Sequence, residues 1–227
     1  MDFELTMEQE ILRRSVREFA EKEIKPVAAE LDEKEEFSYD TMKAMAELGL
    51  FGMVVPEKYG GQSMDYVSYI IATEEIARVD GSHAATVAAG NSLGIMPLYY
   101  FGNEEQKHKY LPKLCSGEHV GALAMSEPNA GSDVVSMKLN ARRKGDHYVL
   151  NGSKMWITNG PDANTYIIYA KTDPDAGSRG ITAFIVERDF AGFSRSPKLD
   201  KLGCRGSNTC ELVFEDCEVP AENILRN

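Results

Sequence analysis

The chain has 227 residues, enough for one large domain or two smaller ones. Its 43% hydrophobic and 27% charged residues are typical of a folded globular protein and not of a disordered one. A net charge of −11 and a pI near 4.9 argue against nucleic acids and anionic membrane surfaces as partners. No apolar run approaches the roughly 18 residues of a membrane helix, and no signal peptide is visible, so we expect no membrane span.

The acidic residues are concentrated in the first half, because residues 1–118 hold 12 Lys and Arg against 22 Asp and Glu. The remaining residues are nearly balanced, with 13 against 14. No Cys-x-x-Cys pair occurs and the His residues do not cluster with the cysteines, so we expect neither a metal site nor a disulfide framework. Reduced thiols in a cytoplasm-like compartment are the simpler interpretation of Cys115, Cys204, Cys210 and Cys217.

Apolar residues recur at helical spacing throughout the first half. Two capping boxes, Thr6 to Gln9 and Asn103 to Gln106, mark helix starts. Pro26 is expected to end or kink the first helix, and the last helix is expected to be short, ending near Pro112. The predicted helices cover about 6–24, 40–48, 65–79, 82–101 and 103–112.

Short strand-like segments separated by glycine turns begin near residue 118. They cover 137–143, 147–150, 153–158, 166–170, 181–187 and 211–215, after an apolar run at 120–125. Asn151-Gly152 is the strongest short hairpin signal among their connections. We therefore predict an α+β chain: an all-α domain at 1–117, followed at 118–227 by an antiparallel sandwich or β-barrel domain.

One candidate binding segment follows the apolar run. Gly131 would let backbone N–H groups approach a ligand closely, and two serine hydroxyls could bond a flat polar ligand or a phosphate. An ordinary strand end with turn residues is the alternative interpretation. The segment consists of Leu123, Ala124, Met125, Ser126, Glu127, Pro128, Asn129, Ala130, Gly131, Ser132 and Asp133.

A second segment, residues 154–160, carries the only tryptophan of the chain. It reads Lys-Met-Trp-Ile-Thr-Asn-Gly and ends at Asn159-Gly160-Pro161, a strong turn signal. Trp156 could form the aromatic wall of a flavin site, or it could be a core aromatic residue of the sheet.

Together, residues 123–133 and 154–160 resemble the flavin-binding signature and the flavin-shielding Trp-Ile-Thr segment of the acyl-CoA dehydrogenase family. The resemblance runs from about residue 3 to residue 225 and is strongest to the isovaleryl-CoA and short-branched-chain members. It implies an N-terminal helical domain and a middle β-barrel domain, with the chain stopping at Asn227 before the family's C-terminal helical bundle.

The resemblance implies that FAD is the cofactor and that residues 123–132, Trp156, Ile157 and Thr158 bind it. Backbone N–H groups of Met125 and Ser126, with the Ser126 hydroxyl, would bond the flavin edge. The Thr158 hydroxyl would lie near the nitrogen that accepts hydride. The expected substrate contacts are Ser132 at the pantetheine arm of acyl-CoA and Ser178 and Arg179 at its nucleotide end, with Gly90, Leu93 and Gly94 as candidates for the acyl pocket.

The implied reaction is α,β-desaturation of a short or branched-chain acyl-CoA, in which a glutamate takes the α proton and flavin takes hydride from the β carbon. That glutamate comes from the C-terminal domain in relatives. Glu127 is a poor substitute, so we expect no catalytic residue here and no turnover by this chain alone.

The resemblance also implies a homotetramer at full length and electron transfer to an electron-transfer flavoprotein. The compartment would be the bacterial cytoplasm, which we favour, or the mitochondrial matrix. A naturally short paralogue that binds acyl-CoA, flavin or a partner without turnover is the alternative.

Overall fold

A computed structural model describes residues 4–225, whose first half is helical. Both predicted capping boxes are confirmed, with Thr6 capping the first helix and Asn103 the last. Ser38, Asp65 and Asp80 cap three of the others through their side chains. The helices are α1 Met7–Phe19, α2 Lys25–Lys34, α3 Tyr39–Glu47, α4 Tyr66–Ala77, α5 Gly81–Ala89, α6 Met96–Phe101 and α7 Glu104–Cys115.

Three prolines lie within the α-helices of residues 4–225. Pro26 and Pro97 each stand at the start of a helix that directly follows a π-helical segment, Ala20–Ile24 or Gly90–Ile95. A first-turn position suits proline because the missing N–H has less need of a partner there. The expected end or kink at Pro26 is therefore a local π distortion, and the predicted helix over 82–101 is divided in three. The last helix continues past Pro112 to Cys115, so its predicted end was wrong.

The second half is a sheet of seven strands. β4 pairs with β5 along one edge and with β1 and then β2 along the other; the sheet continues from β2 through β3 and β7 to β6. The strands are β1 Gly121–Ala124, β2 Asn140–Lys144, β3 His147–Thr158, β4 Thr165–Lys171, β5 Ile181–Glu187, β6 Phe193–Arg195 and β7 Thr209–Pro220.

The sheet is mixed, which corrects the predicted antiparallel sandwich or barrel. β1 runs parallel to β4 from Gly121↔Thr165 to Ala124↔Ile168, and β2 meets β4 in the same sense at Asn140↔Lys171. Turn signals identify only strands joined by short connections, whereas parallel neighbours are far apart in sequence. The pairing of β1 with β4 was therefore not visible as a local pattern.

The Asn151-Gly152 hairpin prediction was also wrong, because both residues lie inside the continuous strand β3. Asn151 exchanges hydrogen bonds with Asp216, donating from Nδ2 to Oδ1 and accepting the Asp216 backbone N–H at 2.9 Å. This pair spans a register shift between β3 and β7. Gly152 has a φ of 135°, and a Cβ there would lie 3.1 Å from the Cα of Leu139. The glycine therefore serves a bulged, crowded sheet position and not a turn.

The helices and the sheet share one hydrophobic core, with members such as Leu98 and Leu114 from helices and Ala122 and Ile157 from strands. Backbone of the helical half meets backbone of the sheet at Gly94 and Gly121, the first residue of β1. A Cβ on Gly94 would lie 2.7 Å from the Gly121 Cα. This contact fixes the start of β1 against the π-helical segment.

Part of the helical surface remains apolar and exposed. This surface is formed by α4 and α6, which are joined by a hydrogen bond between the hydroxyls of Tyr66 and Tyr100. Exposed patches of this kind commonly mark contact surfaces. The exposed apolar face consists of Tyr66, Val67 and Ile70 on α4 and Tyr100 and Phe101 on α6. None of the helices over residues 4–225 has the length and apolar character that crossing a bilayer requires.

The Gly94–Gly121 contact predicts a specific loss of stability. Gly94→Ala should lower the free energy of unfolding by about 1–3 kcal/mol, because the added methyl meets backbone that cannot move alone. Urea unfolding followed by circular dichroism measures this. Gly203→Ala is the matched control, since a Cβ there meets no atom within 4 Å; its effect should stay within about 0.5 kcal/mol. Equal stability of the Gly94 variant and the unmodified chain would contradict this account of the interface.

Candidate flavin-binding site

The loop after β1 is closed by Glu127. Its backbone N–H and C=O exchange hydrogen bonds with Ala130 at 3.0 and 3.1 Å. Its buried carboxylate accepts the backbone N–H groups of Lys138 at 2.6 Å and Leu139 at 2.9 Å. The carboxylate is thus committed to holding the loop against the start of β2, which agrees with its predicted unsuitability as a base.

Lys154 of β3 lies behind this loop and is fully buried, with 0% of its surface exposed. Its Nζ donates to the carbonyl oxygen of Met125 at 2.9 Å and to Oε1 of Glu127 at 3.0 Å. Burial lowers the pKa of Lys154, and the bond to Glu127 opposes that shift. The side chain therefore ties β3 to the end of β1 from inside the sheet.

Trp156 projects outward two residues further along β3. The register of β3 and β7 shifts between Lys154 and Ile157, so two residues, 155 and 156, oppose Glu211 alone. Trp156 occupies this bulge with a φ of 66°, and 61% of its surface is exposed. The bulge keeps Lys154 and Ile157 buried while it turns the indole to the outside. The alternative of Trp156 as a core aromatic residue is thereby excluded.

The two candidate segments meet directly, because the Met155 N–H donates to the Ser126 carbonyl at 2.9 Å. The hydroxyls of Ser126 and Thr158 make no hydrogen bond to any other residue within 4–225, and both residues are half-buried. An exposed indole, that of Trp156, therefore lies in the same region as two free hydroxyls, those of Ser126 and Thr158. This set matches what a flavin ring needs, an apolar face and polar partners along its edge.

The turn after β3 is braced by polar contacts from elsewhere in the chain. Asn159 has a φ of 62°, and its N–H donates to the Asn208 carbonyl at 2.9 Å. Asp162 accepts the Tyr39 hydroxyl at 2.5 Å and the Asn208 side-chain amide at 2.9 Å. Partial desolvation of its hydroxyl, followed by the bond to Asp162, raises the pKa of the largely exposed Tyr39 to about 12. These contacts brace the turn that follows Thr158.

A cleft of about 440 Å³ opens beside the loop. It places part of the predicted segment, Glu127 to Ala130, opposite residues of β2 and β3. Its lining consists of Glu127, Pro128, Asn129, Ala130, Ser136, Lys138, Leu139, Asn140, Asn151, Gly152 and Ser153. Leu123 and Ala124 belong to β1, and Gly131 and Ser132 are exposed on the loop.

The other predicted substrate residues are dispersed. Ser178 and Arg179 lie exposed in the 3₁₀ segment Pro174–Gly180 between β4 and β5. No hydrogen bond or ion pair within residues 4–225 joins them to the loop at 126–132. Within the Gly90–Ile95 segment Leu93 is exposed, whereas Gly90 faces the ring of Phe51 and Gly94 faces Gly121. The two glycines thus have packing partners, Phe51 for Gly90 and the start of β1 for Gly94.

Neither a metal-ion site nor a disulfide is found in the part of the chain that the structure describes. No group of three or more His, Cys, Asp or Glu side chains is placed there to hold a metal ion. All four cysteines are free. Burial raises the pKa of Cys115, Cys210 and Cys217 to about 12, which keeps these thiols protonated and unreactive.

Sequence comparison identifies the family that this fold and this site define. Residues 6–118 match the model of the acyl-CoA dehydrogenase N-terminal domain, and residues 122–217 match that of the acyl-CoA dehydrogenase middle domain. The chain therefore belongs to the acyl-CoA dehydrogenase family, which confirms the resemblance seen in residues 123–133 and 154–160.

Individual relatives are longer than this chain. It is 56% identical over 225 residues to mitochondrial isovaleryl-CoA dehydrogenase of Pongo abelii, covering 97% of this chain and 53% of that protein. Butyryl-CoA dehydrogenase from Megasphaera elsdenii superposes with a TM-score of 0.96 at 42% identity, over 100% of this chain and 60% of that one. An acyl-CoA dehydrogenase from Bacillus anthracis, complexed with FAD, superposes with a TM-score of 0.91 at 40% identity, over 99% of this chain and 39% of that one. The chain spans about half the length of the curated relatives it matches.

The role of Glu127 can be tested by a change of one atom. Glu127→Gln should destabilise the chain by about 3 kcal/mol, because it leaves the ammonium of Lys154 buried without its counter-charge. The measurement is the urea midpoint at neutral pH. Glu33→Gln, on the exposed side of α2, is the control and should change stability by less than about 0.5 kcal/mol. A Glu127 variant as stable as this control would show that the loop does not depend on the ion pair.

Proposed function

We propose that these residues form the flavin- and thioester-binding part of an FAD-dependent dehydrogenase acting on short or branched-chain acyl-CoA. The observation that carries this proposal is the Trp156 bulge. An exposed indole is held at an uncommon backbone angle beside two hydroxyls that have no partner within residues 4–225. Backbone strain and exposed aromatic surface are kept together mainly at binding sites.

We assign the flavin contacts as follows. The indole of Trp156 lies against the ring, the hydroxyl and N–H of Ser126 with the N–H of Met125 bond its edge, and the Thr158 hydroxyl stands at the hydride-accepting side. Ile157 supports Trp156 from the core, and residues 123–132 supply the remaining contacts. FAD, when bound, accepts the hydride that leaves the β carbon.

For the thioester, we assign Ser132 to the pantetheine arm and Ser178 and Arg179 to the nucleotide end, where a guanidinium suits a phosphate. Leu93, exposed on the Gly90–Ile95 segment, is the side chain on that segment best placed to meet the acyl chain. Gly90 and Gly94 shape the segment by admitting Phe51 and Gly121.

We assign no catalytic base to residues 4–225. The α proton must be taken by a group within hydrogen-bond reach of it. Glu127 is excluded because its carboxylate already accepts two backbone N–H groups and the ammonium of Lys154. The proposal therefore needs a carboxylate from a further domain, which would also cover the exposed apolar face.

Further parts of the proposal follow from this assignment. We place the domain boundary at 117/118, since helix α7 ends at Cys115 and β1 begins at Gly121. The full-length protein would be a homotetramer that passes electrons to an electron-transfer flavoprotein, in the bacterial cytoplasm or the mitochondrial matrix.

Flavin contact at Trp156 predicts a fluorescence change. Titration of the chain with FAD should quench the emission of Trp156, because the ring would lie against the indole. Trp156→Ala should weaken binding by about 1–3 kcal/mol through the lost aromatic contact. Phe101→Ala removes a comparably exposed aromatic side chain from helix α6 and should leave the FAD affinity unchanged. An unchanged affinity in the Trp156 variant would exclude the indole as the flavin wall.

The missing base predicts that flavin-reconstituted residues 1–227 do not turn over. Loss of a positioned general base costs on the order of 10²–10⁴-fold, and an open site that admits water should add to this. The assay uses isovaleryl-CoA and butyryl-CoA with an artificial electron acceptor. Activity restored by adding a relative's C-terminal domain would support the proposal. Turnover near that of a full-length relative would place a base within this chain, and flavin binding with no restoration would favour a non-catalytic paralogue.

A further inference from the structure

Lys154 is a buried cation whose three ammonium protons all have hydrogen-bond partners. An ammonium group offers three donors. Those of Lys154 reach the Met125 carbonyl at 2.9 Å, the Glu127 carboxylate at 3.0 Å and the Met137 sulfur at 3.6 Å. None of its surface is exposed. Lys154 therefore cannot donate to a ligand, and it acts only on the residues around it.

Stability alone does not explain the placement of this charge. Desolvating a lysine and a glutamate is costly, and apolar residues of similar volume often give an equally stable core. The ion pair with Glu127 is thus a poor reason to bury a cation. The contact with the Met125 carbonyl is different, because it acts on backbone that belongs to the candidate flavin site.

That carbonyl and the Ser126 N–H belong to one trans peptide group. In a planar trans peptide, C=O and N–H point in opposite directions. Because Lys154 draws the Met125 oxygen into the sheet, the Ser126 N–H must point the other way. The next carbonyl, that of Ser126, is held by the Met155 N–H at 2.9 Å. The ammonium also polarises the amide, which strengthens its N–H as a donor.

The same strand segment aims the indole. Lys154 directly precedes the β3 bulge and Trp156 lies within it, one fully buried and the other exposed. A shift of Lys154 would therefore move the bulge as well as the Ser126 amide. The segment of β3 around Lys154 therefore positions both the Trp156 indole, which would contact the flavin ring, and the Ser126 N–H, which would bond the ring edge.

We propose that Lys154, paired with Glu127, is a positioning residue that aims the Ser126 N–H at the edge of the bound flavin. The inference rests on the proposed function for its purpose. The orientation of the Ser126 N–H depends only on residues of this chain. This orientation and the proposed function can therefore be refuted separately.

The experiment compares two variants that break the ion pair in different ways. Lys154→Met keeps an unbranched side chain of similar bulk, shorter by one atom, but removes the ammonium and so releases the Met125 carbonyl. Glu127→Gln removes the counter-charge but leaves Lys154 able to hold that carbonyl. Lys144→Met is the control, since it removes an exposed lysine at the end of β2 that is not part of the cleft lining. Lys154→Met/Glu127→Gln removes both charges and replaces the single variant should that one fail to fold, as judged by circular dichroism.

The first measurement needs no flavin. In ¹⁵N-labelled chain, the Ser126 amide should give one sharp resonance in the unmodified protein, in Glu127→Gln and in Lys144→Met. In Lys154→Met it should broaden or split, because the peptide loses its single orientation. A single sharp resonance in the Lys154 variant, or in its double-variant replacement, overturns the inference.

The second measurement uses FAD. The Kd of Lys154→Met should rise about tenfold or more, with a shift of the visible flavin bands, whereas Lys144→Met should match the unmodified chain. A broadened Ser126 resonance with an unchanged Kd and spectrum would overturn the link to the cofactor. Failure of the unmodified chain to bind FAD would instead count against the proposed function, and the resonance would still decide the geometry.

Discussion

The bond from the buried Lys154 ammonium to the Met125 carbonyl is the contact on which the candidate site depends. It joins the end of β1 to β3 at the point where the strands leave regular pairing. Glu127 supplies the counter-charge and closes the loop by accepting two backbone N–H groups of the next segment. The Met155–Ser126 hydrogen bond joins the loop directly to the Trp156 bulge.

The rest of the fold supports that point from two sides. The Gly94–Gly121 contact sets where β1 begins, since backbone meets backbone without intervening side chains. Tyr39 and Asn208 hold Asp162 and so brace the turn that follows Thr158. Helices and sheet therefore act on the same short stretch of chain, which explains how a bulged strand can keep an exposed indole in one position.

Local signals predicted much of this structure. The capping boxes at Thr6 and Asn103 were found because their partners lie three residues away. The parallel pairing of β1 with β4 and the continuous strand through Gly152 were missed, since both depend on residues distant in sequence. Lys154 escaped prediction for the same reason: a lysine in a strand normally reaches solvent, and its partners are 29 and 27 residues away. The flavin contacts of Ser126, Trp156 and Thr158 remain predictions that their placement supports.

A crystal structure of residues 1–227 with FAD tests the central claim most directly. The account predicts the isoalloxazine ring in van der Waals contact with Trp156, at about 3.5–4 Å. It also predicts the Ser126 N–H directed at the ring edge while Lys154 still holds the Met125 carbonyl. A ring bound away from Trp156, or a Ser126 N–H turned inward with the flavin in place, would contradict it.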